Sequence, residues 1–301
     1  MEVLDCVIVG AGPAGLNASL ILGRARKKVA LFDNGTNRNR VTQESHGFIT
    51  REGIKPAEFK EIGLDEIKSY PSVQYLENTV SKITKQSNGW FKIVTMEDAE
   101  YLSEKIILAT GVQEIFPSNL NIKQYYGKSL FSCPYCDGWE LQDQSLIVIS
   151  ENEEYTTHIG KLVSNWSKDL VIATNGHELS NPTMNELSRN NITVITEPIK
   201  NLHGEDGYLK KVEFYSGHQI ERFGGFIVPS YIRPNQFAEE LGCEIKENGA
   251  IVTDDSGRTT QKNIYTAGET SKLGQSLLII AASEGAKAAM AVNLDMIDER
   301  F

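Results

Sequence analysis

Cys133 and Cys136, set in Phe131-Ser-Cys-Pro-Tyr-Cys-Asp-Gly138, are the residues of this chain whose types and spacing most plainly announce chemistry. Two cysteines three positions apart can close a small disulfide ring, and a helix starting beside them would favour a thiolate through its N-terminal dipole. The same spacing could instead be half of a zinc site, or a pair of inert buried thiols. Zinc asks for a second close pair. Cys6 in an apolar run and Cys243 behind a helix-like segment do not supply one. Four cysteines so arranged are not a secreted disulfide framework, so a redox-active dithiol is the expectation, and no metal.

The second group of residues is glycine-rich. Val9-Gly-Ala-Gly-Pro-Ala-Gly15 is a G-x-G-x-x-G run placed after a β-branched stretch and at the start of a helix-like one. In that context Gly10 permits a tight turn, Gly12 lets the backbone approach a pyrophosphate, and Gly15 allows close helix–sheet packing, with Pro13 and Ala14 opening the helix. Asp33 follows Gly15 by 18 residues at the end of the next strand, where an acid can accept from ribose hydroxyls. One such turn leaves NAD and FAD undecided. Two more glycine turns follow strands, Ala109-Thr110-Gly111 and Thr266-Ala-Gly268-Glu269.

Together these runs resemble the flavoprotein disulfide reductases with two dinucleotide folds, and within them the low-molecular-weight thioredoxin reductases, over the whole chain. The resemblance implies an α/β protein of two Rossmann-like, three-layer domains. The FAD domain would be split, residues 1–112 and 245–301, with a second, NAD(P)H-like domain at 116–242 inserted and carrying the dithiol. It implies that Cys136 lies near the flavin as the charge-transfer thiolate, that Cys133 makes the mixed disulfide with substrate, and that Asp137 is the general acid–base. Gly268 and Glu269 would face the flavin's ribityl chain, and Asn34, Arg40, His46 and Val80 would complete the FAD-binding set. A homodimer is implied too.

The chain departs from that family where the inserted domain should bind NADPH. After the strand at 145–149 the turn reads Ser150-Glu-Asn-Glu-Glu154, without a glycine and with three carboxylates where two phosphates should dock. The next strand ends in Ala173-Thr-Asn-Gly-His-Glu178 rather than in arginines for a 2′-phosphate. The dinucleotide site is therefore expected to be lost, and NAD(P)H not to be used efficiently. Two directions stay open. The flavin could pass electrons from a dithiol to oxygen, as in dithiol oxidases with C-P-x-C pairs, although a histidine would be expected where this chain has Asp137. Alternatively, a protein donor such as ferredoxin could drive reduction of thioredoxin or a similar disulfide. An ordinary NADPH-dependent thioredoxin reductase and a non-enzymatic flavin-binding redox sensor are the competing readings.

The elements that must hold these groups alternate. Strands are expected at 3–10, 29–33, 105–109, 145–149, 170–173 and 192–196, and helices at 13–23, 56–69, 155–165 and 183–190. Alternation from 73 to 102 around Asn88-Gly89, and from 208 to 223 around Ser216-Gly217, marks hairpins. A further short run at 224–229, a helix near 235–241 and a long helix at 276–296 follow. The net charge of −10 and a pI near 5.1 argue against a nucleic-acid partner. The basic cluster Arg24, Arg26, Lys27 and Lys28 reads as a solvated helix end. No run is long enough for a membrane span, and the N-terminus lacks the marks of a signal peptide, so a soluble, cytoplasmic protein is expected.

Overall fold

The computed structural model describes residues 2–271 and 277–301. The chain forms two compact units, one from the segments ending at Arg40, Gly47–Gln113 and Ile232–Phe301, the other from Val41–His46 and Glu114–Tyr231. The long segment of the second unit starts within two residues of the expected 116–242 insertion and ends earlier, at Tyr231. Residues 232–244 go with the first unit because Ala238 and Cys243 are buried in the core that holds Val7, Phe32 and Ile93. Val41–His46 goes with the second, where the Val41 carbonyl lies so close to Gly127 that a Cβ there would stand 2.3 Å from it.

The first unit is organised around β1 (Val3–Val9), a β-branched run that parallels β2 (Val29–Asp33), which in turn parallels β3 (Val73–Glu77). Helix α1 (Pro13–Arg24), with proline in its first turn, and α2 (Pro56–Lys68) follow β1 and β2. On the other side of β1 lies β6 (Glu100–Leu108), which changes neighbours along its length. Its first half pairs antiparallel with β5 (Phe91–Thr95), itself a hairpin with β4 (Val80–Lys85), and its second half pairs parallel with β17 (Ile264–Thr266). All three glycine turns thus leave the same sheet after β1, β6 and β17.

Helix α7 (Leu278–Arg300) packs on α1 and is tied to the sheet at its far end. The expected start at Ser276 lies outside the described residues. Lys105, fully buried on β6, donates from Nζ to Asn263 Oδ1 and Glu299 Oε2, both at 2.8 Å. A buried ammonium needs that carboxylate. Glu299→Ala is therefore expected to destabilise the protein by about 3 kcal/mol, read from urea unfolding; a loss below 0.5 kcal/mol, as at an ordinary surface site, would show that Lys105 is served by Asn263 alone.

The second unit holds a parallel sheet in the order β11-β10-β9-β15-β8: β11 (Thr193–Ile195), β10 (Leu170–Ala173), β9 (Leu146–Ile149), β15 (Gly224–Ile227) and β8 (Leu130–Phe131). Helices α4 (Glu153–Val163) and α5 (Asn181–Arg189) cross over between its strands, and the single-turn α3 (Pro134–Asp137) follows β8. An antiparallel sheet of β12 (Ile199–Glu205), β13 (Tyr208–Phe214) and β14 (Gln219–Glu221) completes it. Strand β12 was not expected. Two register shifts interrupt its alternation, and its Asp206-Gly207 turn, with φ of +53° and +88°, is a hairpin signal the periodicity did not frame. Short strands β7 (Gln113–Ile115) and β16 (Ser230–Ile232) stand where the chain passes between units, and α6 (Gln236–Glu240) follows.

Candidate functional site

At the first glycine turn backbone crowds two positions and leaves the third open. A Cβ on Gly10 would lie 2.3 Å from the Ala109 carbonyl, and one on Gly15 1.8 Å from the Gly10 carbonyl. On Gly12 it would meet nothing within 4 Å. Gly12 is also the N-cap of α1, whose start carries no side-chain cap and no acid in its first turn. An open approach to an uncapped helix start is a place for a pyrophosphate, so the residues present fit a dinucleotide. Pro13 and Ala14 form that first turn, and Ala14 touches the Gly268 turn, where an added Cβ would stand 3.3 Å away.

The acids expected around this turn are engaged with protein groups. Asp33, 6% exposed, accepts from the Ala11 N–H at 3.2 Å, the Gly35 N–H, Lys60 Nζ and, at 3.5 Å, the Tyr75 hydroxyl. Glu269 is held side-on by Arg38, Nε to Oε2 at 3.1 Å and Nη2 to Oε1 at 2.8 Å. Arg40, the arginine expected at the cofactor, donates from Nη1 to the Thr36 and Asn37 carbonyls. Arg38 stood beside it in the sequence with nothing to rank one above the other. The Gly111 N–H donates to Thr270 Oγ at 2.8 Å, and the Thr110 hydroxyl lies 3.4 Å from it, so the Ala109–Gly111 turn is bonded to Thr270, the residue after Glu269. Asn34 caps its own turn at Thr36 on the surface, and Val80 is buried at the start of β4.

In the second unit Cys133 and Cys136 are joined in a disulfide, with Cα atoms 5.3 Å apart. Cys133 caps α3, and its carbonyl accepts from the Cys136 and Asp137 N–H groups at 3.0 and 3.1 Å. Both cysteines are half-buried, Asp137 is 9% exposed, and Tyr135 and Trp139 stand out at 66% and 69%. Tyr135 meets the Trp166 ring edge-on, and a Cβ on Gly138 would come within 2.7 Å of that ring. Gly138 therefore lets Trp166 back the dithiol turn. Ser132, just before Cys133, donates to Glu114 Oε1 at 2.9 Å and shares it with the Tyr126 hydroxyl. His46 lies within 3.5 Å of Glu140 and 3.9 Å of Glu44.

The turn after β9 contrasts with the one after β1. Asn152 caps α4 by accepting from the Glu154 N–H at 2.9 Å, and Glu153 and Glu154 occupy its first turn. The Glu153 carboxylate accepts from the Ser180 hydroxyl, the Thr183 hydroxyl and the Ser180 N–H, which hold it below the usual carboxylate range. Glu151 accepts from Asn175 Nδ2 at 2.6 Å. The Asn152 side chain thus takes one of the helix-start N–H groups that a dinucleotide-binding turn leaves for phosphates, and the Glu151 and Glu153 carboxylates are tied to Asn175, Ser180 and Thr183 beside it. Among the described residues no His, Cys, Asp or Glu cluster could hold a metal, and no helix is long and apolar enough to cross a membrane.

The family model described as pyridine nucleotide-disulphide oxidoreductase matches residues 4–286. Among solved structures, the Bacillus anthracis protein TrxB, assigned as a thioredoxin reductase, is 69% identical, with a TM-score of 0.96 over 99% of this chain and 100% of that one. HlmI is 31% identical, with a TM-score of 0.94 over 99% and 93%. The thioredoxin reductase sirT of Leptosphaeria maculans is 26% identical over 98% of this chain and 95% of its own length.

Proposed function

Since the chain belongs to the pyridine nucleotide-disulphide oxidoreductase family, we propose that it passes electrons between FAD and the Cys133–Cys136 pair without efficient use of NAD(P)H. It is a flavoprotein disulfide oxidoreductase of thioredoxin reductase-like type. The observation that carries the finer reading is the difference between its two helix starts. That of α1 is uncapped and free of acid, as a pyrophosphate requires, whereas that of α4 is capped by Asn152 and flanked by Glu153 and Glu154. A second dinucleotide would have to displace hydrogen bonds already made and approach like charge.

Gly12, Pro13 and Ala14 would hold the FAD pyrophosphate, Glu269, positioned by Arg38, would address the ribityl chain, and Asp33 would serve the adenosine ribose. When bound, FAD supplies two-electron exchange with the dithiol. The cysteines do the rest. A thiolate of a substrate dithiol attacks Cys133 Sγ, the Cys133–Cys136 bond breaks, and Cys136 leaves as thiolate. The second substrate thiolate then displaces Cys133, releasing a substrate disulfide and both reduced cysteines, while Asp137 holds or returns the proton. Reduction of a thioredoxin-like disulfide runs the same steps in reverse. The naming of the 69% identical Bacillus anthracis protein supports a thioredoxin-like protein as that substrate; a small dithiol is the other substrate class proposed, with a protein donor or oxygen at the other end. The family resemblance supports a homodimer.

Anaerobic mixing separates this reading from that of an ordinary NADPH-dependent reductase. Dithiothreitol is expected to bleach the flavin's visible absorbance within seconds to minutes, and excess NADPH to leave it oxidised at least a hundredfold longer, a barrier difference of about 2.7 kcal/mol. Rapid bleaching by NADPH would sink the proposal. No bleaching by any dithiol would favour a redox sensor.

A further inference from the structure

Arg233 lies between β16 and α6, in the first unit. Its Nη1 donates to the Asn248 carbonyl at 2.6 Å, but Nε and Nη2 are buried and have no hydrogen-bond partner among the described residues. Buried guanidinium donors without acceptors are costly. The unpaired atoms form one edge of the guanidinium, the two-pronged edge that matches a carboxylate or a phosphate. Among the described residues no carboxylate takes it: Glu269, whose charge Arg233 feels, is held side-on by Arg38. Burial pushes the Arg233 guanidinium down and Glu269 pulls it back up, as for a cation held in place for an anion still to come.

We propose that Arg233 is an FAD-binding residue whose open Nε–Nη2 edge takes the phosphate on the flavin side of the cofactor, next to the ribityl chain addressed by Glu269. The proposal rests on the FAD reading above. It adds a ligand from the segment after β16, outside the three glycine turns, and it leaves the α1 start to the adenosine-side phosphate. One pyrophosphate would then be gripped from two parts of the unit that are far apart in sequence, by a helix start and by a cation.

The test compares wild type with Arg233→Met and Arg233→Lys, each stripped of flavin and titrated with FAD and with riboflavin by flavin fluorescence. Riboflavin lacks the phosphate. Arg233→Met is expected to weaken FAD roughly ten- to a hundredfold, the range for a charged hydrogen-bonded pair, with riboflavin unchanged. Arg233→Lys, which keeps the charge without the fork, should fall between. The flavin-free Arg233→Met protein should melt within a few degrees of flavin-free wild type, because the substitution also removes an unpaired buried cation. Equal FAD affinity in wild type and Arg233→Met, or an equal loss of FAD and riboflavin, would overturn the proposal. Failure of wild type to bind FAD would instead overturn the reading it rests on.

Discussion

Cys136→Ser is expected to keep its flavin and its visible spectrum, yet to be bleached by dithiothreitol at least a thousandfold more slowly than wild type, about 4 kcal/mol of added barrier. The reason is stoichiometric. Two electrons enter or leave through a disulfide only when both sulfurs are present, and a serine at 136 leaves Cys133 a lone thiol with no disulfide bond for a dithiol to attack. Substitution of one hydroxyl for one thiol at a half-buried position perturbs packing little, so the fold and the first unit's turns should be untouched. Cys133→Ser should be equally slow in turnover, but by the family resemblance it leaves Cys136 as a free thiolate beside the flavin, visible as long-wavelength absorbance. Bleaching of Cys136→Ser at the wild-type rate would mean that dithiols reach the flavin without the pair.

Gly15→Ala and Gly12→Ala are expected to fail in different ways, although they add the same methyl to the same turn. At Gly15 the new Cβ would stand 1.8 Å from the Gly10 carbonyl, so α1 or the turn must move. Overpacking of backbone against backbone costs about 3 kcal/mol, and urea unfolding of the flavin-free protein should show it. At Gly12 the methyl meets no protein atom within 4 Å, and the loss of stability should stay within about 1 kcal/mol, the difference between glycine and alanine at an N-cap. The methyl there occupies the approach reserved for the pyrophosphate, so FAD affinity should drop by about tenfold or more, near 1.4 kcal/mol. Equal FAD affinity in Gly12→Ala and wild type would remove the pyrophosphate from this turn.

What could be read in the amino acids and what could not divides along a physical line. Runs of β-branched residues ending in glycine were legible, since tight turns after buried strands tolerate few other residues; β1, β6 and β17 each end in one. That no glycine follows β9 was legible for the same reason. Side-chain partnerships across long sequence separations were not. Arg38 and Arg40 are two residues apart in a polar stretch without period, and only the fold sets Arg38 against Glu269, 231 residues on. Arg233 carried no signal at all, because its meaning lies in bonds it does not make. Where the inserted segment ends was illegible for a related reason: Ala238 reads as its tail until its burial with Val7 and Phe32 is seen.

The change of neighbours along β6 also bears on the order in which the molecule can be made. The partner of its second half, β17, lies more than 150 residues downstream, beyond the whole of Glu114–Tyr231. A ribosome delivers the dithiol-bearing unit complete while the sheet around β1 still lacks its final strand, the Gly268-Glu269 turn and α7. Domains generally fold as units during synthesis, and pairings distant along the chain come late. On a nascent chain the disulfide partners can therefore meet before the flavin has a finished home, and capture of FAD waits for a segment that emerges after the dithiol-bearing unit.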